Sequence, residues 1–290
     1  RLRLFMDDCK QRGIYPFVQI WDEPVIERGE RRWKANPWRP SNNVNGLKRL
    51  SDNPDGHAMP GFYDVTDSKL MALQDEFVRR VLDATASYGI CIYSICNEYD
   101  FGAKAPLAWQ QHWIEFFGNY EKKHSSLPTP LLLTNTAVER YMDEGYGAFP
   151  VIDWYYLGRD FRMKHFGRAG EDVAGTSGSV LHSMAERARK LYPGKPLINS
   201  RPSSSPDRGV KDFTNEAETR RVLWSMFTSA VHVAGFRHLN PTGPDDKQPW
   251  LNVHPDCSQC SDGLATERAL NSVHAFLRLV QPNLASFVPE

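Results

Sequence analysis

Apolar positions along the chain alternate between two rhythms. Leu2, Phe5, Met6 and Cys9 recur at helical spacing and Gly13 follows as a stop, so residues 1–12 read as a helix. Tyr15 to Trp21 is a short apolar run that reads as a strand and ends in Trp21, Asp22 and Glu23. A long polar segment to about Asp64 follows, rich in Trp, Asn and Pro, and reads as a loop; a loop that long in a compact fold is usually functional. Thr66, Asp67 and Ser68 supply capping side chains for a helix whose stripe is Leu70, Leu73, Phe77, Val78, Val81 and Leu82 and which ends near Gly89.

The run from Ile90 to Asp100 organises the rest. Ile90, Ile92 and Ile95, with tyrosine and cysteine between them, have the length and composition of a strand buried on both faces. It stops abruptly at Asn97 and Glu98. Trp109, Trp113, Phe116, Phe117 and Tyr120 then mark a helix, Pro130–Thr136 a strand, and Val151–Gly158 another. A helix carrying Val180, Leu181, Met184, Ala188 and Leu191 is stopped by Gly194, and Lys195–Ser200 returns as a strand. Asn215 and Glu218 have the spacing of a capping box, opening a helix with Val222, Leu223, Met226, Phe227 and Ala230 inward. Gly235–Asn240 reads as the last strand, and Leu270, Val273, Leu277 and Val280 as a closing helix.

Strand and helix alternate six times without a change of composition, which argues for one parallel α/β domain over residues 1–290. Six units are two short of a closed eight-stranded (β/α) barrel, and the chain opens on a helix. The expectation is therefore a TIM-type barrel lacking its first one or two βα units here. An open doubly wound sheet is the alternative. No Gly-x-Gly-x-x-Gly turn follows a strand and no Walker-type Gly-Lys-Ser/Thr is present, so neither nucleotide fingerprint is available and no cofactor is expected.

Composition narrows the partners. Thirty-five basic residues balance thirty-five acidic ones without a run of one sign, so the footprint of a nucleic-acid binder is missing. No apolar stretch has the length of a bilayer span, and no membrane partner is expected. Five cysteines, with Cys9, Cys91 and Cys96 in apolar settings, do not make a disulfide framework. Eight tryptophans and eleven tyrosines supply flat faces that suit sugar rings, although a packed core uses the same residues.

At the end of a strand in a (β/α) barrel, side chains converge on the substrate, and a carboxylate held there beside an amide can exchange a proton in fixed geometry. The segment Ile90–Glu98, preceded by the helix over residues 68–88, resembles strand four of the clan of barrel glycosidases that includes cellulases and β-galactosidases. The resemblance implies that Glu98 is the general acid/base and that Asn97 holds a sugar hydroxyl. It also places Trp154, Tyr155 and Tyr156 where that clan's strand six carries an aromatic, and Asp22 and Glu23 at the end of strand three. A carbohydrate partner follows, and an extracellular or periplasmic location is favoured by the resemblance alone.

The chain departs from the clan after Lys195-Pro196, where a nucleophilic Glu is usual and this sequence reads Leu197, Ile198, Asn199, Ser200, Arg201. Retention needs two carboxyl groups about 5 Å apart. Arginine cannot attack, and its charge favours an ionised glutamate nearby. Three outcomes stay open: Asp22, Glu23, Asp153 or Asp207 supplies the second group; the barrel binds glycans without cleaving them; or its chemistry is different. Arg201, His238, Trp21, Trp33, Trp38 and Trp250 are further candidate sugar contacts, each tryptophan being equally suited to anchoring a loop. His254, Cys257 and Cys260 offer three zinc ligands where a structural site wants four, so no metal is expected. Nothing resembles a Gly-x-Ser-x-Gly elbow or a His-x-His strand.

Overall fold

A computed structural model describes residues 2–26, 30–47, 49–52, 60–97, 107–134, 151–153, 178–199, 216–233, 271–273 and 275–279. The chain divides into two compact units, Arg1–Phe161 and Arg162–Glu290.

The first unit opens with α1 (Leu2–Arg12), which buries Met6 and Cys9 and leaves Leu2, Leu4 and Phe5 exposed. Gly13, at φ +67°, and the bond from Ile14 N to Cys9 O close it, because only glycine takes that left-handed turn without strain. Strand β1 (Phe17–Asp22) runs parallel to β2 (Ile92–Asn97), β2 to β3 (Leu131–Thr134), and β3 to β4 (Val151–Asp153). Each pairing joins neighbours in sequence through a connection of more than a dozen residues, as parallel strands need. Between β1 and β2 lie α2 (Glu23–Ile26), α3 (Glu30–Lys34), a 3-10 turn over Pro60–Tyr63 and the long α4 (Ser68–Thr85). The Asp67 carboxylate caps α4 by accepting from Leu70 N, leaving Leu70, Gln74, Val78 and Leu82 as one buried face. Gly89 holds φ +69°, and a Cβ there would meet Pro128 Cγ at 2.8 Å, so this turn into β2 needs glycine twice over. Helix α5 (Leu107–Lys123) connects β2 to β3.

The core of this unit is aromatic. The ring of Trp21 lies 5.4 Å from Trp38, 5.3 Å from Phe62, 5.0 Å from Phe77, 6.4 Å from Trp109 and 6.2 Å from Trp113. Aromatic side chains bury about 150–250 Å² each, worth roughly 4–6 kcal/mol apiece in transfer free energy, so this layer fixes β1 against α4 and α5.

The second unit contains α6 (Gly178–Leu191), β5 (Leu197–Asn199), α7 (Glu216–Thr228) and β6 (Val231–Val233), with β5 parallel to β6. Leu223 and Met226 are buried on α7, and Leu223 meets Val273 in a small cluster with Trp224, Phe227 and Leu277. Residues 271–273 and 275–279 are helical.

Several boundaries differ from the sequence reading. The segment after β1 holds two short helices rather than continuous loop, because Ile26 and Trp33 are buried and pull their turns against the core. Ala230 is exposed at φ 49° beyond the end of α7 instead of facing inward. A strand follows α7 directly at Val231–Val233, while Gly235–Asn240 lies outside the described residues.

Candidate functional site

The parallel register pairs Trp21 with Cys96 and Asp22 with Asn97, so the two strand ends finish level. Successive strand side chains point to opposite faces. With Trp21 committed to the aromatic layer, Asp22 projects from the other face, beside Asn97. There the Asn97 side chain donates from Nδ2 to Asp22 Oδ1 at 2.6 Å. Asn97 is only 4% exposed and Asp22 half-buried. Glu23, next along the chain, is completely buried at the start of α2. Two carboxylates and an amide therefore belong to the C-terminal ends of adjacent parallel strands, the place where α/β proteins assemble polar chemistry.

Strand β2 and helix α5 are both tied to α4 by buried side-chain hydrogen bonds. Thr85 donates to Val81 O at 2.7 Å, so its hydroxyl receives the Tyr93 proton across their 2.8 Å contact. Burial pushes the Tyr93 phenol far above its ordinary pKa, and burial also raises the Cys91 thiol. Gln74, buried on α4, donates to Phe62 O at 2.8 Å and accepts from Trp109 Nε1 at 3.0 Å, tying the 3-10 turn and α5 to α4.

The asparagines of the Trp-, Asn- and Pro-rich segment hold its own backbone. Asn36 accepts from Trp38 N at 2.9 Å, Asn42 donates to Lys34 O and Asn36 O, and Asn43 donates to Pro37 O. Asp52 accepts from Ser41 N at 2.8 Å, and Ser41's hydrogen bonds keep its carboxyl below the usual range. Trp33 is 1% exposed and donates its indole N–H to Ser51 O at 2.7 Å, the loop-anchoring role that tryptophan there can also play. Trp21 is buried, and the half-buried Trp38 stacks edge-on against it, on the face of β1 away from Asp22.

Of the residues singled out in the sequence, the structure brings Asp22 and Asn97 together, and Glu23 follows Asp22 in the chain, buried at the start of α2. Asp153 ends β4. Glu98, Tyr155, Arg201, Asp207, His238, Trp250, His254, Cys257 and Cys260 lie outside the described residues. Among the described residues no group of three or more His, Cys, Asp or Glu side chains could hold a metal ion, and no helix is long and apolar enough to cross a membrane. The Asp22–Asn97 bond was the feature hardest to foresee, since 75 residues separate its partners. Equal distances from the two strand ends to their polar stops were the available signal.

These features define an α/β protein of parallel strands joined by helices, with its polar groups gathered at strand C-termini. The chain belongs to the family described as a domain of unknown function, DUF6298, whose model matches residues 1–193. No curated protein matches it. Similar solved structures include a glycoside hydrolase family 5 enzyme from Prevotella bryantii B14, at 10% identity and a TM-score of 0.48, covering 92% of this chain and 74% of that one. A maltogenic α-amylase from Thermotoga neapolitana is similar at 13% identity and a TM-score of 0.46, covering 93% of this chain and 58% of that one. An endo-β-1,4-mannanase from Thermotoga petrophila is similar at 13% identity and a TM-score of 0.46, covering 93% and 60%.

Proposed function

We propose that this protein is a glycoside hydrolase of the barrel type, acting on glycosidic bonds of oligo- or polysaccharides with Glu98 as general acid/base. The observation that supports this most is the 2.6 Å bond between Asn97 and Asp22 at level, adjacent strand ends, immediately before Glu98 in the chain. A saccharide ring is a dense array of hydroxyls, and a fixed amide and carboxylate on rigid strands are the groups that orient it. A neighbouring carboxylic acid then gives its proton to the glycosidic oxygen as the bond to the anomeric carbon breaks. The second carboxylate, which attacks that carbon or activates water, comes from Asp22, Glu23, Asp153 or Asp207.

The test is a panel of aryl glycosides and plant and microbial polysaccharides offered to the wild type and to Glu98→Gln. Hydrolysis by the wild type that is lost in the variant, with glycan binding retained, supports the reading. Turnover unchanged in Glu98→Gln removes Glu98 from the mechanism. Binding without cleavage by the wild type establishes the other reading, a catalytically silent carbohydrate-binding barrel, to which Arg201 in place of a carboxylate points.

A further inference from the structure

We infer that Asp22 is the second carboxylate of the site and acts as a general base on water, so that the glycosidic bond is cleaved with inversion at the anomeric carbon. This deepens the proposed function and rests on it. Of the candidate second groups, Asp22 and Glu23 are the two whose surroundings are described. Glu23 is completely buried at the start of α2 and is closed to a ligand there. Asp22 is half-buried, and its two oxygens are unlike. Oδ1 accepts from Asn97 Nδ2 at 2.6 Å, which holds the carboxylate in place. Oδ2 accepts no hydrogen bond among the described residues and reaches solvent, so it is the oxygen available to take a proton.

Reach decides between direct attack and base catalysis. Retaining carboxyl pairs stand about 5–5.5 Å apart and inverting pairs about 6.5–9.5 Å, the extra distance holding a water. Asp22 and Asn97 end level, and Glu98 is anchored one residue farther along the chain. Asp22 also carries one methylene fewer than a glutamate, and its Oδ1 is drawn across to the neighbouring strand by Asn97. A carboxylate that is short, set back and tethered meets a water sooner than an anomeric carbon. In the step, Asp22 Oδ2 takes one proton from that water while an electron pair of the water oxygen forms the bond to the anomeric carbon. The bond from that carbon to the leaving oxygen breaks, and the leaving oxygen takes the proton of Glu98. Asp22 ends protonated and Glu98 ionised, and exchange with solvent resets both.

The stereochemistry can be read without any variant. 1H NMR of the sugar first released by the wild type, recorded before mutarotation, from the aryl glycoside it turns over best, should show the anomer opposite to that of the substrate. Release of the substrate's own anomer overturns the inference.

A base on water is needed whatever group leaves, which gives Asp22 a signature unlike that of a proton donor. Asp22→Asn keeps an oxygen that can accept from Asn97, so the fold should hold, and an unchanged urea midpoint checks it. Its kcat/KM should fall by roughly 10²–10⁴-fold on a dinitrophenyl glycoside and on the matching alkyl glycoside alike. A loss confined to the alkyl substrate, or no loss on either, overturns the role. Hydrolysis that Glu98→Gln abolishes but that proceeds with retention leaves the proposed function standing and removes Asp22 as the base. If the wild type cleaves no saccharide on the panel, hydrolysis fails as the function and the role of Asp22 fails with it.

Discussion

Gln74 is the side chain on which the aromatic layer behind Asp22 most depends. It is fully buried, and each end of its amide is used: Nε2 donates to Phe62 O at 2.8 Å and Oε1 accepts from Trp109 Nε1 at 3.0 Å. Gln74→Leu keeps nearly the same volume and removes both bonds, stripping a buried carbonyl and a buried indole N–H of that partner. Each such loss costs about 1–3 kcal/mol, so the variant should be less stable by about 2–6 kcal/mol, a large share of the roughly 5–15 kcal/mol that holds a domain together. Urea unfolding followed by tryptophan fluorescence reads this directly, with an unchanged slope indicating that the same surface is exposed. A double-mutant cycle with Trp109→Phe sharpens it. Once Gln74 is gone the second substitution should cost less than it does alone, since their shared bond has already been lost. A destabilisation of Gln74→Leu below about 0.5 kcal/mol, the range of neutral surface changes, would refute the clamp.

Further outcomes follow from the same structure. Tyr93→Phe should cost about 1–2 kcal/mol in urea unfolding, because it deletes the hydroxyl that gives its proton to Thr85 and also bonds the Cys91 thiol. Tyr120, which donates to Asp83 at 3.0 Å, has its phenol pushed up to about 12, chiefly by burial, above an ordinary value of about 10. A folded-state pKa raised in this way lends stability below the unfolded value that is lost as pH climbs through the folded one. Unfolding midpoints should therefore fall between about pH 10 and pH 12, and less so in Tyr120→Phe. Gly89→Ala should lower stability measurably in the same assay, since its Cβ would press on Pro128 in a left-handed turn.

The central strand was legible because Ile92–Asn97 is apolar on both faces, a pattern a parallel interior strand requires and few alternatives satisfy. Its partner β1 was legible one or two residues out of place, and from the two ends Asp22 and Asn97 could be named as candidates. Their hydrogen bond could not, since register is a property of two strands together and appears in neither alone. Helices α2 and α3 were hidden because four- and five-residue turns are held by the burial of Ile26 and Trp33, not by intrinsic propensity. The aromatic layer was half legible. The period of two along β1 already sets Trp21 and Asp22 on opposite faces, yet Trp38 joins Trp21 through a fold-back of the Asn-rich segment that only the backbone-directed bonds of Asn36, Asn42 and Asn43 reveal. Strands β4 and β5 fall within the runs Val151–Gly158 and Lys195–Ser200 read as strands, whereas β6 has only three residues, too short for an alternation to register.

The claim that everything functional depends on is proton donation by Glu98, and leaving-group dependence measures it most directly. A dinitrophenolate departs from a glycoside without help, whereas an alkoxide needs a proton as it leaves. Comparing hydrolysis of a dinitrophenyl glycoside with that of the matching alkyl glycoside in wild type and Glu98→Gln, the account expects the alkyl substrate to lose about 10²–10⁴-fold in the variant while the activated one loses far less. Equal losses on both substrates, or none on either, would contradict it.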